Sequence, residues 1–300
     1  MIATDNTTTV LDEPAWQARR RAHEARVDAL VGGHRERAAR GEKHPVEDFL
    51  FNYYSFRPAW LRRWHPGPGV VLAGETAREY LRWPEYQESG DGVRVAPEAL
   101  PEKRRGFVRW LHAFLTTTAT RPAFFGCFGW HEWAMVYRQS PEEVRHNAHP
   151  LRFPPDEIAR IVEQGSGCCS HFDAFRFFTA PARPLNRHQP TRETAIALEQ
   201  RGCLHANMDL YKWAYKLAPY APSELVADCF VLARDIREID MRASPYDLRH
   251  LGYEPIMIET PAGRSEYERR QREFSARGEP LRARLITVLE TLLREGESAT

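Results

Sequence analysis

The stretch GCLHANMDLYKWAYKLAPYAPSELVADCFVLARDIREID (202–240) decides the fold class. Its apolar residues recur at helical rather than alternating spacing, which predicts helices over 204–218 and 223–240. Working outward, the same pattern predicts helices over 14–40, 76–83, 102–118, 156–164, 191–200 and 264–295. PAFFGCFGWHEWAMVYR (122–138) is apolar nearly all round and reads as a buried helix with Pro122 in its first turn. The aromatic run VEDFLFNYYSFRPAWLRRW (46–64) is too apolar for a surface helix, so it should cross the core and break near Pro58. HPGPGVVLAG (65–74) reads as a turn entering a short apolar stretch, and residues 87–100 and 180–190 read as loops. CSHFDAFRFF (169–178) fits strand and helix equally, and IMIE (256–259) reads as a short strand. The expectation is a mainly α protein: a flexible tail over 1–13, then one compact multi-helix domain over 14–295 with at most a small β element near 170–178 and 256–259. No repeat or low-complexity linker divides the chain.

The 300 residues are 42% hydrophobic and 11% aromatic, a globular composition. With 42 Lys plus Arg against 41 Asp plus Glu, net charge advertises neither nucleic acid nor membrane. Lysine occurs only at Lys43, Lys103, Lys212 and Lys216. Five cysteines without a CxxC pair argue against a disulfide scaffold and a four-cysteine zinc site. Together with an N-terminus lacking a basic start and an apolar core, they predict a reduced, cytoplasmic chain without membrane spans.

Ionisable residues set among aromatics are the best candidates for chemistry, because burial there must be compensated. His44, Glu47 and Asp48 open one aromatic run and read as a helix N-terminus. Trp130, His131, Glu132 and Trp133 are consecutive, so on a helix His131 and Glu132 point apart, and no second histidine completes HExxH. His171 and Asp173 share a face if their segment is extended. His205 and Asp209, four apart, are neighbours on a predicted helix. GxSxG, GxxxxGK[ST] and strand-linked GxGxxG are all absent.

KHPVEDFLFNYYSFRPAWLRRWHPG, HEWAMVYR, CSHFDAFRFFT, GCLHANMDLYKWAYKL and DMRASPYDL resemble an actinobacterial family of roughly 300-residue proteins commonly labelled 3-methyladenine DNA glycosylase. The resemblance runs roughly from Trp16 to Arg284. It implies a cofactor-free DNA-repair hydrolase that releases 3-methyladenine-type bases from alkylated DNA. Gly67-Pro68-Gly69 with Asp91 only echoes a helix-hairpin-helix enzyme, since Val70-Val71-Leu72 reads as extended. Excising a cationic methylated purine calls for an aromatic pocket and a carboxylate that activates water or stabilises the sugar cation. Trp130, Trp133, Tyr137 and Tyr211 are the candidate walls. Asp173, Asp209 and Glu132 are the candidate carboxylates, with His171 and His205 beside them. Arg19–Arg21, Arg35–Arg40 and Arg57–Arg63 are the candidate phosphate contacts. The alternative is an iron or manganese enzyme acting on a small aromatic or metabolite substrate, with His131, His171, Asp173, His205 and Asp209 as ligands. A non-catalytic binding protein with an aromatic pocket is the third reading. Both enzyme readings expect the 131, 171 and 205 segments to converge on one cavity.

Overall fold

The computed structural model describes residues 8–297 except 141, 145–147 and 166, with the side chains of 296 and 297 also left aside. The chain is 58% helical, with one small sheet. The strands are β1 (Thr9–Leu11), β2 (Val70–Ala73), β3 (Tyr86–Ser89) and β4 (Gly92–Val95). The first helices are α1 (Glu13–Ala39), α2 (Phe49–Tyr53), α3 (Pro58–Leu61), α4 (Glu102–Thr120) and α5 (Trp130–Ala134). Then come α6 (Pro155–Gln164), α7 (Phe172–Phe175), α8 (Ala195–Leu198), α9 (Leu204–Lys216), α10 (Ser223–Arg242) and α11 (Pro261–Glu297).

Of the sheet, β2 falls in the stretch expected to be extended, β1 in the expected tail, and β3 and β4 where a loop was expected. Its order is β1-β2-β4-β3, with β1 parallel to β2 and the other neighbours antiparallel. Residues 87–100 therefore hold most of a hairpin. Its strands are four residues long and turn through Gly90, so the alternation of buried Val93 and Val95 is too brief to register against the surrounding charges. The predicted strand elements near 170–178 and 256–259 are absent: residues 172–175 form one helical turn, and 256–259 are irregular. Of the predicted tail, residues 1–7 lie outside the described residues, 9–11 form β1, and Asp12 caps α1 by accepting from the Ala15 amide at 2.9 Å. Helix formation in 122–138 is confined to α5, because Gly129 and Phe128 both adopt positive φ.

One hydrophobic cluster joins sheet and helices, from Leu72 and Val93 to Leu285 and Leu289. The face of α1 carrying Trp16, His23, Val27 and Val31 is buried, and the Trp16 indole donates to Ala73 O at 2.9 Å, fixing α1 to β2. α9 and α10 form an antiparallel pair joined through Pro219 and Pro222, and α11 packs along both and along α4. No described helix is long and apolar enough to cross a membrane.

Beside the sheet, His65 is 7% exposed, and its Nδ1 is hydrogen-bonded with the Tyr86 hydroxyl at 2.9 Å. Burial, reinforced by Arg63, His23 and Arg82, pulls its pKa down to about 3. The unfolded chain takes up this proton below about pH 6.5 and the folded chain does not, so stability falls as pH drops through that window. Between pH 6.5 and 5 the contribution is about 2 kcal/mol. Urea titrations should show a shallower acid slope for His65→Gln by that amount; parallel slopes would refute the assignment.

Candidate functional site

Four local devices bring the ionisable residues together. Gly129, left-handed at φ 72°, starts α5 against Tyr267 and turns His131 and Glu132 inward; both are buried. The Asn186 side chain clamps Cys169, accepting from its amide at 2.8 Å and donating to its carbonyl at 2.9 Å, which sets His171 at the entrance to α7. From α11, Gln271 donates to Gly202 O at 2.7 Å, Ser275 to Arg201 O at 2.9 Å and Arg282 to Asn207 Oδ1 at 2.7 Å. These bonds seat the first turn of α9, which carries His205, Asp209 and Lys212. α10 delivers Arg237 and Asp240, 2% and 0% exposed.

Two linked networks result. In the first, Arg237 Nη1 donates to Glu132 Oε1 at 2.9 Å and to Asp240 Oδ2 at 3.2 Å, with its guanidinium 3.8 Å from the centre of the Phe49 ring. His131 Nε2 lies 3.0 Å from Asp240 Oδ1, and His205 Nε2 lies 3.9 Å from Asp240 Oδ2. Burial would lower the His131 pKa, but Asp240 outweighs it and raises it. Burial and then His131 push His205 well below the ordinary histidine value, favouring its neutral form.

In the second network, His171 Nδ1 lies 2.7 Å from Glu199 Oε2, and its Nε2 lies 3.7 Å from Asp209 Oδ2. The Tyr54 hydroxyl donates to Asp209 Oδ1 at 2.8 Å. Lys212 donates to Asp173 at 2.8 Å and also to Asp209. Burial works against the Lys212 charge, yet the two carboxylates hold its pKa above the ordinary lysine value. Stacked His171 and His205 rings, 5.4 Å between centres, join the networks. Between them is a cavity of about 40 Å³ lined by Phe49, Tyr53, Tyr54 and Phe177 together with Glu132, His171, Asp173, His205, Asp209 and Arg237. No family model, curated protein or solved structure matches this chain.

The structure brings the 131, 171 and 205 segments together. Glu132, His171, Asp173, His205 and Asp209 line the cavity, and His131 sits behind His205, their ring centres 4.3 Å apart. The expected walls lie elsewhere. Trp133 donates to Ala243 O at 2.9 Å in the core, and Tyr137 donates to Glu163 at 2.7 Å. Tyr211 packs among Tyr54, Phe56, Tyr215 and Phe230, while Trp130 lines a separate cleft of about 370 Å³. Helical α7 also removes the shared strand face proposed for His171 and Asp173. The iron or manganese ligand set divides: Lys212 occupies the cation's place between Asp173 and Asp209, while His131 and His205 face Asp240.

Tyr54, Glu199, Lys212, Arg237 and Asp240 were missed. Lys212 had a signal, being one of four lysines and three residues from Asp209 on a predicted helix. Arg237 and Asp240 have the same spacing on a predicted helix, whereas Glu199 precedes a loop and carried none. Several expected phosphate contacts are engaged internally: Arg20 with Glu24 and Glu79, Arg35 with Asp28, Arg37 with Asp48, and Arg62 with Glu24 and Asp28. Cys168 and Cys127 are poor nucleophiles, since burial pushes Cys168 up to about 12 and a hydrogen bond with Cys169 plus burial raise Cys127 well above the ordinary thiol range.

Proposed function

We propose that the aromatic cavity is the active site of a hydrolase that cleaves the N-glycosidic bond of a flat, cationic purine, the reaction implied by the family resemblance. Asp209 carries the reading: a buried carboxylate at the cavity, oriented by Tyr54 and Lys212 and 3.7 Å from His171 Nε2. A carboxylate so placed stabilises an oxocarbenium-like sugar or takes a proton from attacking water, with His171, held by Glu199, next in the relay. Phe49, Tyr53, Tyr54 and Phe177 supply π faces for a positively charged base. A purine needs more room than about 40 Å³, so this reading requires the aromatic side to open for binding. DNA bearing alkylated bases is the partner proposed by resemblance. The internally paired arginines make a free methylated nucleoside the second substrate to try.

The test is chromatography of bases released from dimethyl-sulfate-treated duplex DNA, treated single-stranded DNA and free N-methylated purine nucleosides. Release of 3-methyladenine well above spontaneous loss is expected. Release from nucleosides alone would keep the chemistry and replace the partner, and none above background from all three would end the proposal. The metal-enzyme reading has one observation in its favour, the grouping of His131, His205 and Asp240.

A further inference from the structure

Three sets of donor atoms gather within 4.8 Å of one another: His171 with Asp173 and Asp209, His171 with Glu199 and Cys203, and His131 with His205 and Asp240. The first already holds the Lys212 ammonium, which donates to both carboxylates. The second is closed by the 2.7 Å contact between His171 and Glu199, and burial keeps the Cys203 thiol protonated.

The third set differs. His131 Nε2 and Asp240 Oδ1 form an ion pair at 3.0 Å without hydrogen-bond alignment, His131 Nδ1 has no aligned partner either, and the Cys127 thiol lies beside the same imidazole. Buried polar atoms without partners are costly and rare. One donor atom from each of His131, His205 and Asp240 lies within 4.8 Å of the other two. With metal–ligand bonds of about 2.1 Å, neighbouring donors sit roughly 3 Å apart, so the spacing of His131 Nε2 and Asp240 Oδ1 is already suitable, while His205, whose Nε2 lies 3.9 Å from Asp240 Oδ2, has to turn towards Oδ1.

We propose that His131, His205 and Asp240 bind a divalent transition-metal ion. Two imidazoles and one carboxylate suit Zn²⁺, Fe²⁺, Mn²⁺ or Co²⁺ and leave coordination positions open. Arg237, donating to the other oxygen of Asp240 at 3.2 Å, fixes the carboxylate as an outer-shell partner. His205 also lines the aromatic cavity, so an ion held here borders the proposed substrate site. The inference deepens the metal-enzyme reading of this site but stands on these atoms, and its readout is metal content, independent of base release.

The test strips the full-length, tag-free chain with chelator, offers Zn²⁺, Fe²⁺, Mn²⁺ and Co²⁺ separately, and measures retained metal after gel filtration, with the visible spectrum of the Co²⁺ form reporting N/O ligation. About one equivalent per chain is expected. Losing an outer-shell partner costs about 10–100-fold in affinity, so His205→Gln and Asp240→Asn should each cost ~100-fold or more, while Asp173→Asn retains binding. Asp240 is wholly buried and its variant can fail to fold; part-exposed His205 then decides. No retained metal would overturn the proposal in favour of a metal-free His131–Asp240 ion pair, and retention unchanged in a folded His205→Gln chain would overturn it by placing the metal elsewhere.

Discussion

The Asp209→Asn variant is expected to cut base release by ~10²-fold or more while keeping the fold, the lower range for losing a general base. Asparagine matches aspartate in shape and can still accept from Tyr54, so the aromatic packing of Tyr54 against Tyr211 and Tyr215 is preserved. What disappears is the charge beside His171 and Lys212. Lys212 retains Asp173 at 2.8 Å, which limits the structural cost. Asp173→Asn is the contrasting variant: Asp173 is ion-paired to Arg176 as well as Lys212 and lies farther from the His171 relay, so a smaller loss is expected. Single-turnover rates with matched circular dichroism spectra decide the matter. Equal activity in Asp209→Asn and wild type would remove Asp209 from the chemistry.

The largest stability effect is expected at Arg237. Replacing it with alanine leaves Glu132 and Asp240 without their shared guanidinium in a region almost sealed from water, and exposes a void over Phe49. Breaking one side of a buried ion pair typically costs about 3–5 kcal/mol, because the remaining charge keeps its desolvation penalty. Urea unfolding should show this loss, and Arg237→Met combined with Glu132→Gln should recover part of it by removing one uncompensated charge and refilling the void. A loss below about 1 kcal/mol for Arg237→Ala would mean that water or a rearranged partner replaces the guanidinium.

Helices were legible wherever they were long enough to complete several turns, as in α1, α4, α9, α10 and α11. They were not legible in 122–138, where composition favours helix but positive φ at Phe128 and Gly129 breaks it. The hairpin escaped notice because its alternation lasts four residues a strand. The site was legible by residue type: charged groups among aromatics drew attention to 131–132, 171–173 and 205–209. Their partners Glu199 and Asp240 were not, because the pairing is made by tertiary packing across 28 residues from His171 to Glu199 and across the whole α5–α10 interval to Asp240. The spacing of Arg237 and Asp240 marks Asp240 as a helix-face partner of arginine, but no local spacing shows that His171 meets Glu199 or that His131 meets Asp240.

The distance in sequence between Glu132 and Arg237 has a consequence for synthesis. The two are 105 residues apart, so at about 5–20 residues per second the acid emerges from the ribosome roughly 5–20 s before its cation. Throughout that interval the nascent chain can bury Glu132 only at the cost of an unpaired charge, which favours keeping this region open to water. α11 emerges later still and brings the side chains that seat the start of α9. The half of the protein that holds the cavity is thus timed to close last, and a ribosome stalled before α11 would present an exposed, aromatic-rich surface to chaperones.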